Sequence, residues 1–547
     1  MKYKLINTLP DLPRDKTLYV DTETTTLYGS LVLLQLYQEG LEHVFIIDVK
    51  RSSPETVLDY LKSFNYIVGY NLQYDLEVLG ARFEDVKKQY FYDDLYLASK
   101  IVYYWLENYG LYDVLNSILK LDIKIDKKAM QKQGFGGLFI SQAQLEYAAS
   151  DVYYLPKLYH AILTQHPNFF KTNRVYRQDL FVSKMMLDIH RVGLKVNKQA
   201  LFNKKQELTA KLKSFNFPFN PLSPQQVAQV LSTPKADKET LLDLVYQGDE
   251  LAKQIYEYRK ISKLLNFIDK FNTDRVYGKF NVVGAKSGRM TCSSENIQQI
   301  PRELRSVFGF TEDEGKVYVV ADFPQIELRL ASLIWQEKSM IDAFVNDIDL
   351  HKYTASVIYS KSMTDVSKPE RQIAKSANFG LLYGMSGKAF ANYVYTNTGI
   401  RLSEHEGEAI KRKWLATYPT IAKKHQRVKD VLYAKNVYED KTILGRPYRT
   451  DSFNEALNIQ IQGSGAELLK QTIINLKRKT PSLQIANLIH DEIIIECDKV
   501  EAEDVADFLQ SEMELAWQDI CQNAKLDIEK FDLKVEKPDI ILSIAKS

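Results

Sequence analysis

Val317-Tyr-Val-Val-Ala-Asp322 and Leu488-Ile-His-Asp491-Glu492 are two short segments, far apart in the chain, that each set a carboxylate at the end of an apolar run. The first reads as a buried strand of β-branched and aromatic residues that stops at Asp322, with Pro324 suited to open a helix from Gln325. In the second, Ala486–Ile489 and Ile493–Ile495 read as two apolar strands, with His490-Asp491-Glu492 at the hairpin turn between them. An unpaired carboxylate is costly to bury, so a cation is expected beside these acids, and two facing carboxylates suit a divalent metal. Two metal ions roughly 3.5–4 Å apart stabilise both the attacking and the leaving oxygen of a phosphoryl transfer. That chemistry is the first expectation.

The chain has 547 residues, too many for one hydrophobic core, so two to four domains are expected. With 45% hydrophobic and 26% charged residues it reads as a soluble globular protein. A formal net charge of +2, from 72 basic and 70 acidic residues, neither demands nor excludes nucleic-acid binding, because opposite charges can be segregated onto separate faces. Cys292, Cys497 and Cys521 are odd in number and lie in no metal-ligand spacing, which suits a reducing compartment without structural disulfides or zinc. No run approaches the ~20 apolar residues of a membrane span, and the amino terminus lacks a signal-peptide apolar region. A cytoplasmic setting follows.

A second acidic constellation occupies the amino-terminal third. Leu18-Tyr-Val-Asp21-Thr-Glu23 is again a strand ending in carboxylates, spaced so that both leave one face of an extended chain and can share a metal. Tyr66-Ile-Val-Gly-Tyr-Asn71-Leu-Gln-Tyr-Asp75 runs from a strand into a helix, and Tyr147 and Asp151 stand one helical turn apart. Singly each is an ordinary turn or cap; together they bring four acids and a phenol toward one point. The tyrosine-rich stretch Tyr90–Tyr112 invites base stacking, yet Tyr103, Tyr104 and Trp105 fall on successive helical positions, and a packed helix is the preferred reading.

Asp21-Thr-Glu23-Thr, Asn71-x-x-x-Asp75 and Tyr147-x-x-x-Asp151 resemble the three motifs of the DnaQ-like 3′-to-5′ exonucleases, in the form found in bacterial DNA polymerase I. The resemblance implies a ribonuclease-H-like α/β domain over residues 1–165. It also implies that Asp21, Glu23, Asp75 and Asp151 ligate two Mg²⁺ ions, or Mn²⁺ as a substitute, while Tyr147 orients the attacking water. Leu27 matches a position that wedges against the bases at the 3′ end, and Asn71 a DNA contact. With every acid present, active proofreading is expected rather than an inert nuclease fold.

From about residue 165 to 285 the sequence is helical and lysine-rich. Phe181–His190 reads as a helix stopped at Arg191-Val-Gly193. Lys204, Lys205, Lys211 and Lys213 read as a solvated face rather than phosphate contacts. Phe219-Asn220-Pro-Leu-Ser-Pro224 and Tyr258–Leu265 loosely resemble the thumb of family A DNA polymerases.

The remaining motifs resemble the same family, in its order, over roughly residues 287–495. Arg371-Gln-Ile-Ala-Lys375-Ser-Ala-Asn-Phe379-Gly-Leu-Leu-Tyr383 places two cations and two aromatics at i, i+4, i+8 and i+12 on a gently drifting helix face, a stripe suited to a nucleoside triphosphate. It resembles the fingers helix. By that resemblance Arg371 and Lys375 bind the triphosphate, Lys375 protonates pyrophosphate, Phe379 stacks near the sugar and disfavours dideoxynucleotides, and Tyr383 guards the templating base. Asp322-Phe-Pro-Gln325-Ile-Glu327 resembles motif A, with Pro324 in the usual serine position; Gln325 and Glu327 lie at the nucleotide, Glu327 excluding a ribose 2′-OH. His490-Asp491-Glu492 resembles motif C, with Asp491 the second metal ligand, Glu492 in support and His490 near the nucleotide. Arg289, Asn296, Gln298, Asn458 and Gln462 are implied DNA contacts. Asn454 stands where the family often has arginine, and the carboxyl end lacks the usual tryptophan.

The reading is therefore a multidomain α/β and α+β protein. A ribonuclease-H-like exonuclease domain precedes a right-hand polymerase over 166–547, with thumb about 200–285, palm about 286–350 and 450–547, and fingers about 351–449. The expected activity is DNA-directed DNA synthesis, in which a primer 3′-OH attacks the α-phosphate of a dNTP where Asp322 and Asp491 hold two Mg²⁺, together with 3′-5′ proofreading. Expected partners are primer-template DNA and dNTPs, with processivity or replisome proteins unidentified and no membrane; a monomer is expected. A 5′-nuclease domain is not expected, an economy that resembles phage-encoded polymerases. A purely degradative exonuclease and a non-catalytic replisome scaffold are the alternatives, both disfavoured by the intact acids.

Overall fold

The computed structural model of the chain describes residues 1–50, 52–87, 91–124, 134–137, 139–523 and 531–545. Six strands form the amino-terminal sheet: β1 Tyr3–Ile6, β2 Leu18–Thr24, β3 Leu31–Tyr37, β4 Val44–Asp48, β5 Ile67–Gly69 and β6 Tyr92–Asp94. Their order is β1-β4-β3-β2-β5-β6, with β2 antiparallel to β3 and parallel to β5. The β-branched and leucine side chains of these strands fill one core, and in the second half of β2 the period-two alternation buries Thr22 and Thr24 while Asp21 and Glu23 stay partly open. Ser141 and Gln144 close a capping box on the helix Gln142–Tyr153, which packs against β2 and carries Tyr147 and Asp151.

The helix Arg174–Ile189 joins the two halves, packing on both Leu72–Val78 and Phe453–Lys479. Beyond it, Lys198–Lys213 packs on Glu250–Ile268, and a small separate core forms around Val227, Leu241 and Ile255. Lys204 and Lys211 both pair with Glu207, and Lys205 with Asp269, as a solvated face does.

A second, four-stranded antiparallel sheet runs in the order Gln484–Ile489, Glu492–Asp498, Lys316–Asp322, Asp539–Ile541. Every residue from Val317 to Ala321 is buried, as are Ile485–Ile489, because the helices behind the sheet cover it. Register places Asp322 opposite Glu492, next to the two-residue turn His490-Asp491.

Three local expectations are corrected. The helix after Asp322 spans Ile326–Trp335, so Pro324 lies outside it; Gln325 takes a left-handed φ of 51°, which no residue inside a right-handed helix adopts. The helix at Lys368 stops at Gly380, and Tyr383 sits in a 3₁₀ turn, Leu381–Tyr383, ended by Gly384 at φ 82°. Tyr103, Tyr104 and Trp105 form a turn after the helix Leu95–Val102, not part of it, so Tyr103 is buried while Trp105 is exposed.

The helices between Leu350 and Lys435 enclose two buried histidines. Nδ1 of His351 accepts from the Asn378 amide at 3.0 Å, and Nε2 of His425 donates to the Leu382 carbonyl at 2.9 Å. Burial lowers both from 6.5 to about 4. The native state thus binds fewer protons than the unfolded chain between those values, so stability falls as pH drops from 6.5 toward 4, by of the order of 3 kcal/mol for each histidine. Hydrogen exchange is expected to show amides of Lys368–Gly380 losing protection at pH 5 relative to pH 7; equal protection contradicts this.

Candidate active sites

The first site is a cleft of about 400 Å³ over β2, walled by Asp21, Glu23, Asp75, Tyr147 and Asp151. Carboxylate oxygens of Asp21, Glu23 and Asp151 lie within 4.8 Å of one another. Three hard oxygen donors that close fit a divalent cation. Asp75 stands on the same wall, but its Oδ1 accepts from the Thr22 backbone N–H at 2.9 Å and the Thr22 hydroxyl at 2.6 Å. Burial lifts its pKa to about 7 against those hydrogen bonds. Burial, with the charges of Asp151, Glu23 and Asp21, holds the Tyr147 phenol far above its ordinary pKa. In these surroundings the phenol favours its protonated form, a hydroxyl donor. Leu27 is 75% exposed on the rim, and Asn71, at φ 63°, opens onto the same cleft.

The second site lies at the end of the four-stranded sheet. Asp322 is exposed at the strand terminus, and Asp491 occupies the adjoining turn, where His490 takes a φ of 57°. Burial, then the charges of Asp322 and Glu327, lift the Asp491 carboxyl to about 6. Repelling carboxylates of this kind fit a divalent cation between them. Glu492 pairs with Arg305 at 3.3 Å. Glu327 bridges Arg289 at 3.0 Å and the Tyr383 hydroxyl at 2.6 Å. Burial, then Arg289, lowers the pKa of His490. The buried Oε1 of Gln325 has no hydrogen-bond partner among the described residues.

Arg371, Gln372, Lys375, Phe379 and Tyr383 are the less buried side chains of a segment in which Ile373, Ala374, Ala377, Asn378, Leu381 and Leu382 are buried. Arg371 is held by Asp349 at 2.8 Å, and Lys375 is exposed. On the long helix Phe453–Lys479, Asn454, Asn458 and Gln462 form a polar stripe on a cylinder buried over most of its middle turns. The Asn454 amide donates to the Tyr383 carbonyl at 2.6 Å. Gly463 lets the loop at Ser287 approach: a Cβ there would stand 2.6 Å from the Ser287 carbonyl oxygen. Gln298 donates to the Leu488 carbonyl at 3.1 Å, tying its loop to motif C, while the buried Oδ1 of Asn296 lacks a partner among the described residues.

Several site residues escaped sequence reasoning. Tyr112 donates to Asp151 Oδ1 at 2.5 Å, yet its tyrosine-rich neighbourhood read as packing. Asp94 accepts from the Asn71 and Leu72 backbone N–H groups and so fixes the start of the helix bearing Asp75. Asn281, from the other half of the chain, lines the first cleft and donates to the Tyr96 hydroxyl at 3.0 Å; only tertiary packing brings it there.

An acid-walled cleft on the first sheet, and the acids Asp322 and Asp491 brought to one end of the second, are two groupings suited to phosphoryl transfer. The chain belongs to DNA polymerase family A, whose sequence model matches residues 192–534, and a model described as 3′-5′ exonuclease matches residues 4–166. It is 32% identical over 556 residues to DNA polymerase I of Aquifex aeolicus (strain VF5), covering 94% of each chain. DNA polymerase I of Bacillus subtilis (strain 168) is 27% identical over 60% of this chain and 42% of its own length. The POL domain of Pol1 from M. smegmatis, solved with DNA primer-template and dNTP, shares the fold at a TM-score of 0.77 and 18% identity, covering 99% of both chains. Among the described residues no helix is long and apolar enough to cross a membrane.

Proposed function

We propose that the second site extends a DNA primer with dNTPs under direction of a template, and that the first removes nucleotides from the 3′ end, both with Mg²⁺, in a cytoplasmic setting. The observation that carries the reading is the meeting of Asp322 and Asp491, from distant segments, at one sheet end, where Glu327 acts on Asp491 and is itself reached by the hydroxyl of Tyr383, the last member of the stripe. Residues 1–165 form the exonuclease; about 200–285 act as thumb, about 351–449 as fingers, and about 286–350 with 450–547 as palm.

Asp322 and Asp491 would hold the metal in one cleft, and Asp21, Glu23, Asp75 and Asp151 in the other. Bound there, divalent ions supply neutralisation of phosphate charge and a more acidic oxygen nucleophile. The chain's own groups do the rest. Lys375, exposed on the stripe, meets the triphosphate and protonates the departing pyrophosphate, and Arg371 exchanges Asp349 for a phosphate. Phe379 packs on the sugar. Arg289, Asn458 and Gln462 contact DNA near the primer end. Tyr147 orients the attacking water through its hydroxyl, the form that burial and the neighbouring carboxylates favour.

A primed-template assay tests this: extension with dNTPs and digestion without them support it, digestion alone reduces the chain to a degradative nuclease, and neither leaves a scaffold. Glu327 reports on sugar choice. Its carboxylate crosses the pocket between Arg289 and Tyr383, where a 2′-OH would meet it. Glu327→Ala is expected to raise the ribonucleotide-to-deoxynucleotide incorporation ratio at least about tenfold, or about 1.4 kcal/mol; an unchanged ratio contradicts the role.

A further inference from the structure

Four charged side chains meet in the interior where the helix Arg174–Ile189 packs on Phe453–Lys479. Asp179 and Lys470 are wholly buried, and Glu467 and Arg446 almost so. Asp179 accepts from Lys470 Nζ at 2.6 Å through Oδ1 and from Arg446 Nη2 at 2.5 Å through Oδ2. Glu467 accepts from the Thr442 hydroxyl at 2.5 Å and the Leu444 N–H at 3.0 Å, and so holds the turn that delivers Arg446. Stability alone does not call for such a cluster, because apolar side chains of equal volume often serve a core as well or better. What the charges add is direction, since each buried donor needs an acceptor in line with it.

One of those directions leads out of the cluster. Lys470 Nζ also donates to the Gly288 carbonyl at 2.9 Å. Gly288 has a φ of 84°, and a Cβ on it would stand 2.5 Å from Arg446 Nε, so its loop is seated directly on the guanidinium. The Ala285 N–H closes the loop by donating to the Arg289 carbonyl at 3.1 Å. Arg289, the next residue, reaches Glu327 with its guanidinium at 3.0 Å. A chain of contacts thus runs from Asp179 through Lys470 and Gly288 to the group proposed to touch the primer end.

We infer that Lys470, held by Asp179, is a positioning residue for DNA synthesis: it fixes the loop from which Arg289 reaches the primer end. The inference rests on the polymerase reading and on the contact proposed for Arg289. Lys470 is sealed from DNA and nucleotide by its burial, so it acts only through Arg289.

The test is single-turnover extension of a matched primer by the full chain. Lys470→Met keeps the length of the side chain and loses its charge and its donors. It is expected to lower the maximal rate at least about tenfold while the half-saturating dNTP concentration stays within about twofold of the parent, because the Arg371–Tyr383 stripe is untouched. In a chain already carrying Arg289→Ala, the same change is expected to lower the rate by less than about twofold, since residues acting through one set of contacts are not additive. Thermal melting, with digestion of a single-stranded oligonucleotide by the amino-terminal site, shows that a variant is folded. Where Lys470→Met is not, Asp179→Asn combined with Lys470→Met, which removes one charge of each sign, is read by the same measures. A smaller fall in maximal rate, a fall that appears instead as a raised half-saturating dNTP concentration, or an equal fall with and without Arg289 overturns the inference. If Arg289→Ala alone extends the primer as the parent does, the contact proposed for Arg289 fails and this inference with it; if the parent extends nothing, the polymerase reading fails as well.

Discussion

Asp322→Ala is expected to end primer extension while digestion of the same primer continues. The side chain stands exposed at a strand end, in register across from Glu492 and beside the turn that holds Asp491, so its loss removes one of the two carboxylates proposed to hold the metal. Stabilisation by a held metal amounts to several kcal/mol, which at 1.4 kcal/mol per decade means a fall of at least about a thousandfold in extension rate. Single-turnover extension, with 3′ digestion measured on the same preparation, reads both. Extension within tenfold of the parent contradicts the assignment.

Asp151→Asn is expected to do the reverse. Asparagine keeps the size of the side chain and an Oδ1 to accept from the Tyr112 hydroxyl, so the helix Gln142–Tyr153 and its packing remain. What goes is one negative charge of the trio with Asp21 and Glu23, whose oxygens lie within 4.8 Å. Hydrolysis is expected to fall at least about a thousandfold by the same arithmetic. Extension is expected to persist, with more uncorrected mismatches among its products. Retained digestion of a single-stranded oligonucleotide contradicts this, and a chelator is expected to silence both reactions of the parent chain.

Much of this was legible in the sequence because short-range patterns carry it. A strand that ends in Asp-x-Glu shows both carboxylates on one face through its period of two, and β2 does so. The stripe Arg371, Lys375, Phe379, Tyr383 was visible through the helical period, although Gly380 ends the helix before its last member. Where reading failed, the cause was backbone geometry that side-chain pattern does not encode. Gln325 takes the left-handed region after Pro324, and the turn at Tyr103–Trp105 sends three neighbouring aromatics in different directions.

The sequence by itself determined which residue types could do the chemistry, since carboxylate spacing and helix periodicity are local properties of a chain. Only the tertiary structure decided which groups share a cleft: Asp322 with Asp491 through strand register, Asn281 with the nuclease site through packing of the two halves, and Tyr112 with Asp151. Those pairings join residues tens to hundreds of positions apart, and their closeness comes from burying the two cores, a cost and gain that no local window of sequence records.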